Sequence, residues 1–322
     1  IFYDTGLLEE NAFIDSLKKI PLPKMEEIIN AFKEAQEIYA SHGITMAQEG
    51  VITNDLAKIF KLLANNNEIF LDIVAYMDYK NMDEIKKEYS EYINKYKNKF
   101  KIGGIKIFLD GSPQAKTAWL REAYANEPEY YGYRIMKDED IEEILEKAKE
   151  SKLQILAHCN GDKAAEQYIN AVKKVSNLKR PVMIHAQLLG LDQLEDVKKY
   201  NIIPSFFISH IYYFGDIHIK NLGIKRAEHI SPAGSSLKQD ILFTFHQDTP
   251  VIEPNMFETI WCAVNRKTKE GKVLGEDEKI SVLEAIKAVT INSAYQYGEE
   301  DVKGSLKAGK KADLIIVDRN PL

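Results

Sequence analysis

Short apolar runs rich in β-branched residues alternate along the chain with longer amphipathic stretches rich in Lys and Glu. Residues 24–42 carry Ile28, Ile29, Phe32, Ala35 and Ile38 at helical spacing and end at Gly43, a residue suited to closing a helix. The pattern predicts strands over 44–50, 69–77, 102–109, 153–157, 182–184, 202–208 and 241–245. Between them it predicts helices over 56–65, 82–100, 138–151, 163–175 and 192–200, then helical segments from Phe257 and from Ser281. A final apolar run, Ala312 to Val317, reads as one more strand. Strands alternating with helices imply crossover units and a parallel sheet. Several strands are apolar on both faces, as expected when helices cover the sheet. Seven such units fit an α/β fold of the (β/α)8 TIM-barrel type with one strand missing better than an open doubly wound sheet. No G-x-G-x-x-G or Walker A sequence follows any strand, so nucleotide-binding readings lose their best support.

Composition narrows the class. The 322 residues are 45% hydrophobic, enough for a large core. The net charge is −6, which argues against a nucleic-acid or anionic-membrane partner. The longest uncharged apolar run, residues 202–215, contains Pro204 and His210 and is shorter than the ~20 residues a membrane span needs. Two cysteines, Cys159 and Cys262, exclude a disulfide scaffold or a Cys-rich zinc module and favour a reducing cytoplasm.

The polar residues at strand ends carry the chemistry. Lys106 lies inside the apolar run IKIF and is followed by Asp110-Gly111. Predicted strands lead into His158, His185, His210 and His246, the last within His246-Gln247-Asp248. In α/β barrels the active site sits where strands end. A lone histidine there is more often a hydrogen-bonding loop residue, and Asp248 before Thr-Pro reads equally as a cap. A lysine among Ile105, Ile107 and Phe108 is costly to bury unpaired. Taken together, histidines, a carboxylate and a buried lysine at one mouth suit a divalent-metal hydrolase.

These residues resemble the amidohydrolase superfamily, specifically its amidohydrolase 3 branch of metal-dependent hydrolases. The likeness runs through GGIKIFLDGSPQAKTAWLREAY, LAHCNGDKAAEQYINAV, VMIHAQLLGLDQL, SFFISHIYYFGDIH, FTFHQDTPVIEPNMFETIWCAVNR and the tail AVTINSAYQYGEEDVKGSLKAGKKADLIIVDRNP, with TGLLEENA near the start. The resemblance implies that residues 1–303 form the barrel, strands 2–8. Residues 304–322 would return as a strand to a small β-sandwich domain. Lys106 matches a lysine that becomes a carboxylated bridging ligand (carboxylysine), His158 and His185 match histidine ligands, and Asp248 matches an aspartate that is both ligand and proton shuttle.

The implied cofactor is one or two divalent ions, zinc first. The implied reaction is hydrolysis of a carbon–nitrogen bond in a small non-peptide amide, by attack of metal-bound hydroxide. Arg121, His210, Tyr212 and His246 are candidates for substrate contact, and residues 215–236, with His218 and His229, for a lid. The expected partners are a small-molecule substrate, no nucleic acid and no membrane, with room for a homodimer. Three departures stand out. The superfamily's His-x-His pair occurs nowhere in this sequence, Ile184 precedes His185 where relatives often carry an acid, and Gln247 precedes Asp248 where serine is usual. The chain is therefore expected to lack the N-terminal part of the barrel and to be inactive alone. The alternative is a non-catalytic regulatory or ligand-binding member on the same scaffold.

Overall fold

The computed structural model describes residues 23–322, together with Gly6, Ser16, Lys19, Ile20 and Pro21; apart from Gly6, the TGLLEENA block lies outside the described residues. After helix α1 (Met25–Ser41), seven strands follow: β1 (Met46–Ile52), β2 (Asp72–Asp78), β3 (Phe100–Phe108), β4 (Gln154–Cys159), β5 (Val182–His185), β6 (Ile203–Phe206) and β7 (Thr244–Phe245). All pair in parallel, in the order of the chain. Helices α2 (Asn54–Asn65), α3 (Met82–Glu88), α4 (Asp138–Glu150), α5 (Asp162–Val175), α6 (Leu194–Lys199) and α7 (His210–Leu222) connect or follow them. The short helices α8 (Ile224–Ala227) and α9 (Ala233–Lys238) precede β7, and α10 (Met256–Asn265), α11 (Val282–Val289) and α12 (Ile291–Gln296) follow it. The seven strand–helix units expected from the hydrophobic pattern are therefore present as a curled, open barrel.

The period-2 alternation of strand side chains separates two cores. One layer packs under the helices, with Ile105, Ile107, Ile155, Ala157, Met183 and Phe206 facing it. The other is built on strands, Val74, Tyr76, Leu156, Val182, Ile184 and Ile203, and lines the concave face. Helix α4 shows why the outer layer forms. Its buried Ile141, Ile144, Leu145 and Ala148 fall three and four apart, with Asp138, Glu139 and Asp140 in the first turn and Lys147 and Lys149 in the last, matching the helix dipole.

Two expectations need correction. The charged stretch over 82–100 is helical only to Glu88, and continues through a 3₁₀ turn, Ser90–Tyr92, into a tight connection with Asn94 and Asn98 at positive φ. Those asparagines tolerate the left-handed region, and their local turn wins over the helical charge pattern. The candidate lid over 215–236 is largely packed helix, with His218, Ser231 and Ser236 at 0% exposure and Asn221 buried. The tail over 312–317, expected to return to a small β-domain, pairs with no strand among the described residues and leaves Leu314, Ile315, Ile316 and Val317 exposed. An extended apolar run holds strand geometry only when a neighbouring backbone supplies hydrogen bonds, and none of the described residues does so here.

Candidate functional site

The C-terminal ends of β3, β4, β5 and β7 bring Lys106, His158, His185 and His246 together. On β4, the concave face carries Gln154, Leu156 and then His158, so simple alternation aims the imidazole inward. His185 is different. Ile184 already faces the concave core, so alternation would send His185 outward. His185 and Ala186 instead adopt φ of 72° and 45°, which turns the ring to the mouth. Asp248 also lies in the left-handed region, at φ 53°. Non-glycine residues held there carry strain, a feature concentrated at functional sites.

The rings form a continuous row. His158 Nδ1 lies 3.0 Å from His185 Nε2, His185 Nδ1 lies 3.1 Å from His246 Nε2, and His246 Nδ1 lies 2.9 Å from Ser205 Oγ on β6. At the other end His158 Nε2 lies 3.3 Å from the Gly111 carbonyl and 3.1 Å from Asn160 Nδ2. The loop behind His158 is fixed by Asp110, an acid that the sequence places directly after a predicted strand. Its carboxylate accepts from the backbone N–H groups of Trp119 at 3.0 Å, Asn160 at 2.9 Å and Gly161 at 2.7 Å. A Cβ on Gly161 would come within 1.9 Å of the Trp119 carbonyl oxygen, so only glycine permits that closeness. The signal was available in the sequence: an acid immediately after a strand, and an Asn-Gly pair two residues beyond a histidine.

Burial keeps this cluster neutral. It lowers His158 to about 3, with nearby Lys106 adding to the effect, and lowers His246 to about 3 for the same two reasons. His185 is driven well below the usual imidazole range by burial, then by His158, His246 and Lys106. Lys106 is 5% exposed, and burial lowers its amine to about 8 while Asp248 pulls the other way. Its ammonium nitrogen sits 5.2 Å from the Phe108 ring centroid and has no hydrogen bond or ion pair among the described residues. Asp248 stands at the open rim; desolvation by surrounding protein raises its carboxyl and Lys106 opposes this. The hydroxyl of Tyr39, from α1, is beside Thr249 at the same rim.

The remaining candidates lie around or away from this row. His210 is buried, bonded to His218 at 3.2 Å, and separated from the row by Phe207, whose ring lies 4.4 Å from His210 and 5.4 Å from His246. Tyr212 packs edge-on against Trp261 and Tyr213, with Lys269 near both tyrosines. Arg121 is committed to Asp192 at 2.8 Å and Glu166 at 3.4 Å, bracing the loops after β4 and β5.

Two of the donors have the chemistry that a divalent cation takes. His158 Nδ1 and His185 Nε2 come from separate strands, are kept neutral, and are spaced as two nitrogens sharing one ion with bonds of ~2.0–2.1 Å can be. Among the described residues no three His, Cys, Asp or Glu side chains form a group able to hold a metal. The imidazole pair would need Lys106 and Asp248 to extend it.

The chain belongs to the amidohydrolase family, whose model matches residues 5–322. It is 29% identical over 229 residues to the putative amidohydrolase YtcJ of Bacillus subtilis, covering 68% of this chain and 42% of that protein. It is 30% identical over 226 residues to Protein LONG AFTER FAR-RED 3 of Arabidopsis thaliana, covering 68% and 39%. An uncharacterized metal-dependent hydrolase from Pyrococcus furiosus superposes with a TM-score of 0.85 at 26% identity, covering 98% of this chain and 65% of that one. The chain thus spans about two fifths of the length of the curated relatives it matches. Among the described residues no helix is long and apolar enough to cross a membrane.

Proposed function

We propose that the complete protein is a metal-dependent hydrolase that cleaves a carbon–nitrogen bond in a small non-peptide amide. The observation that carries this reading is the neutral pair, His158 Nδ1 and His185 Nε2, 3.0 Å apart beside Lys106 and below Asp248. His158 and His185 would hold the cation, with Lys106 and Asp248 completing the set. A divalent ion at this place, zinc or a similar metal, would supply Lewis acidity and a water acidic enough to ionise near neutral pH. Lys106, with its amine lowered to about 8, is suited to capture carbon dioxide: the nitrogen forms a bond to carbon, loses one proton, and becomes an anionic carbamate. Asp248, at the rim, would take the proton of the attacking water and deliver it to the departing nitrogen. His210, Tyr212 and Arg121 remain outer candidates for substrate contact, and the buried free thiols of Cys159 and Cys262 support a cytoplasmic setting.

The test is metal analysis of the complete protein together with hydrolysis assays on small amides. Stoichiometric metal and turnover that chelation abolishes and metal restores are expected. Metal-free protein without metal-dependent turnover, yet binding a small ligand, would establish the non-catalytic alternative. The incomplete donor set among the described residues is the observation that favours that alternative.

A further inference from the structure

The row of imidazoles has a consequence for how its protons are arranged. A neutral imidazole carries one N–H, on either of its two nitrogens. Without a cation the row can be ordered in either direction. In one, Ser205 donates to His246, His246 to His185, His185 to His158, and His158 Nε2–H to the Gly111 carbonyl. In the other, Asn160 donates to His158 Nε2 and the hydrogen bonds run the opposite way, ending on Ser205 Oγ. A cation between His158 Nδ1 and His185 Nε2 removes that freedom, because both nitrogens must then present lone pairs. The protons are forced outward on both sides. His158 Nε2–H must go to the Gly111 carbonyl. His185 Nδ1–H must go to His246 Nε2, whose own proton must then lie on Nδ1 and point to Ser205 Oγ.

From this geometry we infer that His246 and Ser205 are positioning residues that hold His185 in the single tautomer able to ligate a cation. The outer nitrogen of a ligating histidine is ordinarily held by a carboxylate, a carbonyl or water. Here that place is taken by a second neutral imidazole, which accepts on one side only if it can donate on the other. Ser205 is therefore required although its closest approach is to His246, one ring removed from His185. The register supports the assignment: Ser205 pairs with Thr244, so its side chain and that of His246, two residues on, share the concave face. His246, a candidate for substrate contact on sequence grounds, is thereby assigned to the support of His185.

This inference rests on the metal-hydrolase reading, and its test separates the two. Zinc ions alone are the probe, with affinity of the complete protein measured against a chromophoric chelator. His246→Phe should weaken zinc binding about 10- to 100-fold, the usual range for loss of such a support. His246→Gln, whose side-chain oxygen can still accept from His185, should restore most of it, and Ser205→Ala should weaken binding less than His246→Phe. In zinc-loaded wild-type protein, two-bond ¹H–¹⁵N spectra should show the His185 proton on Nδ1. Unchanged affinity in His246→Phe, or equal losses for Phe and Gln, would overturn the assignment while leaving the hydrolase reading intact, whereas a His185 proton on Nε2 would also remove the ligand pair on which that reading rests. Wild-type protein that binds no zinc would sink both.

Discussion

The two ends of the sheet bury ionisable groups in opposite ways. At the base, where the strands begin, charges are kept and paired. Lys101 meets Glu299, and Lys303 bridges Glu299 and Asp72 at 2.7 Å each, with Lys311 also on Asp72 at 2.7 Å. Tyr96 donates to Glu299 at 2.8 Å. Burial alone would raise both acids, but the lysine hydrogen bonds outweigh it and hold Asp72 and Glu299 below the usual carboxylate range. At the mouth, charge is suppressed instead: three imidazoles are neutral, and Lys106 is lowered to about 8 without an ion pair among the described residues. At the base each buried charge is paired with an opposite one, and the network serves the fold. A neutral row with lone pairs to give is suited to chemistry, the division expected between the two faces of such a barrel.

The sharpest way to break this contrast is to alter one acid at each end. Asp248→Asn should lower turnover on a metal-dependent substrate by about 10²- to 10⁴-fold, the usual contribution of a proton-transfer group, with little change in the melting temperature. Steady-state kinetics beside a thermal melt would check it; full activity would remove Asp248 from the proposed role. Glu299→Ala should do the reverse. It strands Lys101 and Lys303 in a buried setting and should cost ~3–5 kcal/mol in urea unfolding, the range for breaking a buried ion pair from one side. Activity per folded molecule should be retained. A Glu299 variant that is stable but inactive would show that the base also governs the chemistry.

The contrast was half legible in the sequence. Strand ends could be read from the apolar runs, and Lys106, His158 and His246 follow from them because side chains two apart on a strand share a face, here the one toward the mouth. His185 shows the limit. Its neighbour Ile184 already faces the concave core, so its inward aim depends on a left-handed backbone that hydrophobic periodicity does not encode. Arg121 shows a different limit: its pairing with Asp192, some seventy residues away in sequence, is made by the fold and leaves no mark in the hydrophobic pattern. The base network was not anticipated either. Asp72, Lys101, Glu299 and Lys303 are ordinary charges in sequence, and only the closeness of distant segments makes them a unit.

Acid sensitivity sharpens the same division. An unfolded imidazole takes a proton near pH 6.5, whereas folded His158 and His246 do so only at about 3. Between these values the unfolded state binds more protons, so stability must fall as pH falls. The expected loss is about 1–2 kcal/mol per imidazole between pH 6.5 and 5, from one pKa unit being worth ~1.4 kcal/mol. The base behaves differently: its two lowered carboxylates contribute fully above their unfolded values of 3.8 and 4.5 and lose their contribution only below that. Lys106 has the same sign as the imidazoles at the alkaline side, since stability should rise from about pH 8 to 10.5 as the unfolded amine still carries its proton. Urea unfolding across pH 4.5–7 would show the slope, and His158→Gln should flatten it by one proton. An unchanged slope in that variant would mean that His158 is not held neutral.

The smallest effect belongs to the residue that stands between the two regimes. Arg121 is charged and paired, like the base, but lies near the mouth and is partly open to water, with Asp192 mostly exposed. Burial acts against its charge, yet the hydrogen bond it donates to Asp192 and the nearby acids raise the guanidinium above its ordinary value. Solvent screening limits what such a pair contributes, so Arg121→Ala should cost ~0.2–1 kcal/mol by chemical denaturation. If Arg121 only braces the loops after β4 and β5, KM should stay within a factor of about two, since less than ~0.4 kcal/mol of binding would be lost. A tenfold rise in KM with kcat unchanged would instead place the guanidinium on the substrate, and would mean that the ion pairs with Asp192 and Glu166 open when substrate arrives.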